Sequence, residues 1–142
     1  MVRLLLVCTL ASEPPSRTAV AAATGKCQSE SWRLFGRAAA EVGGKVEQPH
    51  SLTRMPDAPT CKAGRMPEGA WLGVELVGPD GAVHGLWVVQ EPTFDPPCPE
   101  WSQAVARGIR EGKFRPAKAD GVPVPYCLTV TASPLLLTAP EK

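Results

Sequence analysis

Residues 69–90 read GAWLGVELVGPDGAVHGLWVVQ, and this stretch decides the fold. From Gly69 to Val77 the chain alternates, with Ala70, Leu72, Val74 and Leu76 on one side. That period of two predicts a half-buried strand. Gly78-Pro79-Asp80-Gly81 is a turn: Pro79 presets the first turn angle, and Gly81 accepts the left-handed conformation that follows. Ala82 to Gln90 is a second strand rich in valine and leucine, so the stretch is a β-hairpin. Trp71 and Trp87, one on each strand, are expected to pack as a cross-strand pair.

Downstream, the three prolines between Glu91 and Pro97 mark a loop. Pro99 suits the first turn of a helix, where its missing N–H costs nothing. Trp101, Ala104, Val105, Gly108 and Ile109 fall on one apolar face, with Glu100, Gln103, Arg107, Arg110 and Glu111 opposite. Gly112 ends this helix, and Phe114 is expected to tuck under its end. Ala119-Asp120-Gly121 is another turn, and Val122 to Ser133 is the last strand. Pro123 and Pro125 lack ladder donors, which places the start of that strand at an edge or outside the sheet. The order strand, strand, helix, strand predicts an α+β fold: a three-stranded antiparallel sheet with helices on one face.

Upstream, Trp32, Phe35, Ala38, Ala39 and Val42 predict a helix over 29–42, closed by Gly43-Gly44. The expected organisation is a signal or disordered segment at 1–26, a helix and irregular proline-rich connection at 27–68, the β-β-α-β domain at 69–134 and a tail at 135–142. Met1-Val2-Arg3 followed by the apolar run Leu4 to Ala11 looks like a secretory signal, against the alternative of an unprocessed cytosolic N-terminus. The run is too short to span a bilayer. Hydrophobic residues at 44% and charged residues at 20% permit an ordinary core, and a net charge of +1 argues against nucleic acid as a partner.

Five cysteines, Cys8, Cys27, Cys61, Cys98 and Cys127, show no C-x-x-C spacing. Wide spacing suits disulfides in an oxidising compartment. Cys61 precedes the first hairpin strand and Cys98 follows the second, so the two ends of the hairpin bring them side by side. Cys27 and Cys127 are then left to fasten the N-terminal helix region across the sheet's second face. Four cysteines nevertheless allow three connectivities. The rival reading is a reactive thiol at Cys98, because a helix N-terminus lowers a thiol pKa. Neither His50 nor His84 has zinc-ligand spacing, and no Ser-His-Asp order stands out, so no cofactor or metal and no enzymatic activity are expected. Arg107, Arg110, Lys113, Arg115 and Lys118 form a basic run, read as a solvated face or a contact for an acidic partner.

The block Lys113-Phe114-Arg115-Pro116-Ala117-Lys118-Ala119-Asp120-Gly121-Val122-Pro123-Val124 resembles the signature of the C-terminal domain of TonB-type energy transducers. In that family an aromatic-x-Pro-Ala segment leads through a polar turn to Gly-x-Pro-Val at the entry of the last strand. Phe114, Pro116, Ala117, Gly121, Pro123 and Val124 carry the likeness. The hairpin turn at Pro79-Asp80-Gly81 matches the family's acidic-Gly turn, whereas Ala58 stands before Pro59 where the family has a tyrosine.

The resemblance implies a non-enzymatic, periplasmic protein-binding module, linked to TonB-dependent transport, that captures an extended partner segment by strand addition. The implied edge is the last strand, at Tyr126, Leu128, Thr129, Val130 and Thr131. Implied partners are an outer-membrane receptor or another envelope protein, with a homodimer by edge-strand pairing as a further expectation. The alternatives are an edge already blocked by the chain's own N-terminal segment, a disulfide-stabilised exported scaffold or adaptor without a transduction role, and a thiol enzyme using Cys98.

Overall fold

The structure, a computed structural model, describes residues 15–41, 45–54, 58–62 and 64–134. Cys8, the Leu4 to Ala11 run, Val42 with Gly43-Gly44, and the tail at 135–142 lie outside the described residues.

Helix α1 runs Pro15–Phe35, earlier than the 29–42 expected from the sequence. Its first residue, Pro15, lacks an N–H, which costs nothing in a first helical turn. Gly36, at φ +68°, closes it by donating its N–H to the Trp32 carbonyl (3.0 Å), the left-handed cap for which glycine carries no Cβ penalty. The apolar spacing that suggested a helix over 29–42 continues past this stop. The buried stripe of α1 is made instead of small residues, Ala23, Cys27 and Ser31, and Trp32 is 59% exposed. Within the expected 1–26 segment, residues 15–26 are helical, and Val20 and Ala23 pack against the sheet cluster.

The remaining elements follow in order. They are β1 (His50–Ser51), β2 (Arg65–Glu68), β3 (Trp71–Val77), β4 (Val83–Gln90), β5 (Thr93–Asp95), α2 (Pro99–Arg110), β6 (Phe114–Arg115), β7 (Ala117–Ala119), β8 (Val122–Val124) and β9 (Tyr126–Ala132). The main sheet is three-stranded and antiparallel in the order β4-β3-β9, so the first hairpin strand is central. The expected hairpin is present, with Gly81 N–H donating to the Gly78 carbonyl (2.9 Å) across the turn. The β3–β9 register runs unbroken from Trp71↔Ala132 to Val77↔Tyr126.

The mixed α+β class stands, but the helices cover both faces of the sheet and not one. Along β3, alternate side chains point to opposite sides. Trp71 packs with Trp101, Val105 and Ile109 of α2, whereas Val74 and Leu76 pack with Ala23 and Cys27 of α1. Hence β3 is buried almost throughout, and the half-buried reading of its alternation is corrected. The expected tryptophan pair is corrected for the same reason: Trp71 lies under α2, and Trp87, opposite Val74 in register, lies under α1. Gly73 and Gly85 make room for the indoles, since a Cβ at either would sit 2.6 Å from the Trp71 or Trp87 ring.

Both expected disulfides are present. Cys61–Cys98 joins positions 37 residues apart and Cys27–Cys127 joins positions 100 apart. Loop-closure entropy gives on the order of 3–4 kcal/mol for the first and about 5 kcal/mol for the second. The connection from 45 to 68, expected to be irregular, is partly stitched. Glu47 and Lys118 exchange backbone hydrogen bonds (2.9 and 3.1 Å), β1 pairs with β6, and β2 pairs with β5. Phe114 sits against the end of α2 as expected, its ring 3.6 Å from where a Cβ at Gly112 would stand, and its backbone also takes part in the β1–β6 pair.

Gly81 anchors this stitching. Its φ is +80°, its carbonyl accepts the Phe114 N–H (2.8 Å), and a Cβ there would run into the Phe114 carbonyl. Gly121 has a similar φ of +79° but open space around it. Gly81→Ala is therefore expected to destabilise more than Gly121→Ala, which loses only the conformational part, about 1–3 kcal/mol for a residue held at positive φ. Urea unfolding midpoints at unchanged slope measure both.

Candidate functional site

The last strand expected over 122–133 is broken at Pro125 into β8 and β9. Asp120 and Gly121, at φ +51° and +79°, form the two-residue turn between β7 and β8. Ala117 and Val124 face each other across that small hairpin and are buried with Tyr126 against Ala40 and Val46. Pro123 stands opposite Lys118, and Pro116 lies between β6 and β7. The motif residues thus shape the entry into β9.

At β9 the backbone decides which groups are available. Alternate residues of a strand direct their N–H and C=O to opposite neighbours. Cys127 N–H donates outward to the Ala40 carbonyl (2.9 Å), and Ala40 N–H donates to the Pro125 carbonyl (2.9 Å). Cys127, Thr129 and Thr131 therefore face the outer edge, while Tyr126, Leu128 and Val130 face β3. Ala40 covers the beginning of this edge as a parallel bridge. Gln28 of α1 holds the same segment from its other side: its Nε2 donates to the Ala39 carbonyl and its Oε1 accepts the Ala39 N–H, both at 2.8 Å. At Thr129 and Thr131 the outer edge meets no further strand among the described residues, and both side chains are exposed. Of the five residues expected to bind a partner, Tyr126 is buried and Leu128 and Val130 are half-buried and face β3, so only Thr129 and Thr131 direct main-chain groups outward without a partner among the described residues.

The opposite side of the same sheet region holds a group that the alternation reading passed over. Glu75, in the middle of β3, is 1% exposed, and its Oε1 has no hydrogen-bond partner among the described residues. It lines a cavity of about 230 Å³. Ile109 of α2, Phe114, Leu128 and Val130 supply apolar wall, and Ser51, Thr53 and Arg54 supply the polar part of the lining. Burial in this setting pushes the Glu75 carboxyl up to about 7. A buried acid without a charge partner favours its neutral form. The sequence signal was a lone acidic residue in an otherwise apolar central strand.

Other expected positions are quieter. Cys98 precedes α2 as its N-cap residue but is bonded to Cys61, so the free thiolate of the thiol-enzyme reading is absent. His50 is exposed on β1. His84 Nε2 lies 2.9 Å from Asp80 Oδ1 and its ring stacks edge-on against Phe35. Burial works to raise the Asp80 carboxyl, but hydrogen bonds from His84 and the Ala82 N–H outweigh it and hold the group below the usual carboxylate range. Arg107 and Arg110 line a separate cavity of about 440 Å³ beside Trp71, and Lys113 and Arg115 are exposed. Among the described residues no three metal-ligating side chains cluster, and no helix is long and apolar enough to cross a membrane. Comparison with known protein families, characterised proteins and solved structures finds no match for this chain.

Glu75 makes stability depend on pH. Its folded pKa lies above its unfolded value of 4.5, so the native state holds the extra proton between those two values. Stability contributed by the neutral acid is full below pH 4.5 and is lost as pH rises through about 7. Glu75→Gln is expected to match the wild type at pH 4 and to exceed it at pH 8 by on the order of 3 kcal/mol at most. Parallel urea titrations across that range give the difference.

Proposed function

We propose that this chain is a non-enzymatic, cell-envelope protein-binding module of the TonB C-terminal type, which captures an extended segment of a partner by strand addition on β9. The observation that carries the reading is the outer edge at Thr129 and Thr131, whose N–H and C=O groups lie beyond the Ala40 bridge. Unpaired edge groups satisfy their hydrogen bonds by recruiting an extended backbone. Ala40 illustrates the chemistry from within the chain, since it pairs with this edge in the parallel sense.

The family assignment rests on the residues of the Phe114 to Val124 block, and the fold class and the split at Pro125 are compatible with it. Two disulfides suit an oxidising compartment, which for this family is the periplasm. The partner is then an outer-membrane receptor or another envelope protein, in the setting of TonB-dependent transport. A disulfide-stapled exported scaffold without a transduction role is the second reading, favoured by the way Cys27–Cys127 and Gln28 bind the N-terminal helix to the sheet.

Extended peptides from outer-membrane receptors, titrated into the oxidised protein, are expected to shift or broaden the amide signals of Thr129 and Thr131. Thr129→Pro removes an outward donor at a position where an edge strand tolerates proline, and is expected to weaken binding tenfold or more. Spectra unchanged at millimolar peptide count against the proposal. Self-association of the free protein, abolished by the same substitution, would assign the edge to a second copy of the chain.

A further inference from the structure

We propose that the cavity holding Glu75 is a binding site for a primary alkylammonium group, with the Glu75 carboxylate as counter-ion and the surrounding apolar side chains gripping the alkyl stem. This proposal stands independently of strand addition at β9.

The cavity already has the two halves such a ligand needs. One is a carboxyl oxygen that is buried and, among the described residues, unpaired. Leaving a buried acceptor unsatisfied is costly, and natural cores rarely do so without a use for the group. The other is an apolar wall formed by Ile109, Phe114, Leu128 and Val130. A linear aliphatic amine presents the matching pattern, a hydrocarbon stem ending in a compact charge with three donors. The volume of about 230 Å³ suits a ligand of side-chain size and not a larger cofactor.

The end of α2 adds to the preference. Gly108, Ile109 and Gly112, in and just after its last turn, line the cavity. The carbonyl end of a helix carries partial negative charge and favours a cation. Arg54 is the other charged residue of the lining among the described residues; it is exposed and forms no ion pair with Glu75. The β9 and β6 residues that face the cavity are not titratable, and among the described residues the lining contains no second carboxylate.

Binding of an amine requires Glu75 ionised and the amine protonated. With the carboxyl near 7 and an alkylamine near the usual lysine value of about 10.4, affinity rises as pH passes upward through 7 and falls again above about 10. By linkage, the bound cation lowers the Glu75 pKa.

The test is titration of n-butylammonium chloride into the oxidised full chain at pH 8, followed by the methyl signals of Leu128 and Val130. Saturable shifts are expected, at least tenfold weaker at pH 5, in Glu75→Gln, and with n-butanol as the neutral isostere. In the wild type alone, saturating butylammonium is expected to lower the Glu75 carboxyl titration by at least one pH unit. N-acetyl-Gly-Lys-Gly-amide identifies the source: shifts at the same methyls assign the site to a lysine side chain, whereas shifts with butylammonium only assign it to a free amine. Saturating butylammonium is expected to leave the response of the Thr129 and Thr131 amides to receptor peptide unchanged, which separates the site from the edge. Equal binding of n-butanol and butylammonium, equal binding by Glu75→Gln, or no saturable shift overturns the proposal.

Discussion

The central placement of β3 is the constraint on which the other features depend. A seven-residue strand with both neighbours paired and both faces apolar must be covered twice. Helix α2 covers the Trp71 face and α1 covers the Val74 and Leu76 face. Because β3 sits between β4 and β9, the last strand falls at an edge, and its outward groups become the candidate surface. For the same reason an acid placed in β3 is shut away from water, as Glu75 is. The edge and the buried carboxyl are thus two results of one packing decision.

The disulfides lock that decision at its two margins. Cys27–Cys127 ties α1 to β9 across one face, and Cys61–Cys98 ties the approach to β3 to the start of α2 near the other. A small domain with many prolines and glycines gains by such links, since they restrict the unfolded chain where burial alone gives a modest margin. The Ala39–Ala40 segment shows how local the margin is. Gln28 grips one side of it and β9 the other, so the chain caps the first part of its own edge.

Much of the sheet was legible in the sequence because turn chemistry is local. Gly78-Pro79-Asp80-Gly81 and Asp120-Gly121 name their conformations, and Pro125 marks its own break. The pairing of Cys61 with Cys98 followed from where a hairpin brings its ends. Helix α1 was misplaced because its buried stripe is built of alanine, cysteine and serine, which carry little hydrophobic signal, while the conspicuous Trp32 faces solvent. The two-sided burial of β3 was missed because alternation was read on one face only, and Trp71 was given a cross-strand partner on β4 and not a place under α2. Three of the five edge residues, Tyr126, Leu128 and Val130, turn their main-chain groups to β3: side-chain alternation was visible, but which main-chain groups point outward depends on the neighbour, and that is a tertiary fact.

Amide hydrogen exchange along β9 tests the central claim most directly. If β3 is its one long partner, exchange alternates: Leu128 and Val130 are protected, Thr129 and Thr131 exchange fast, and Cys127 is intermediate through its bond to Ala40. Equal protection of Thr129 and Thr131 with Leu128 and Val130 would mean that the outer edge is already filled, and would contradict the account.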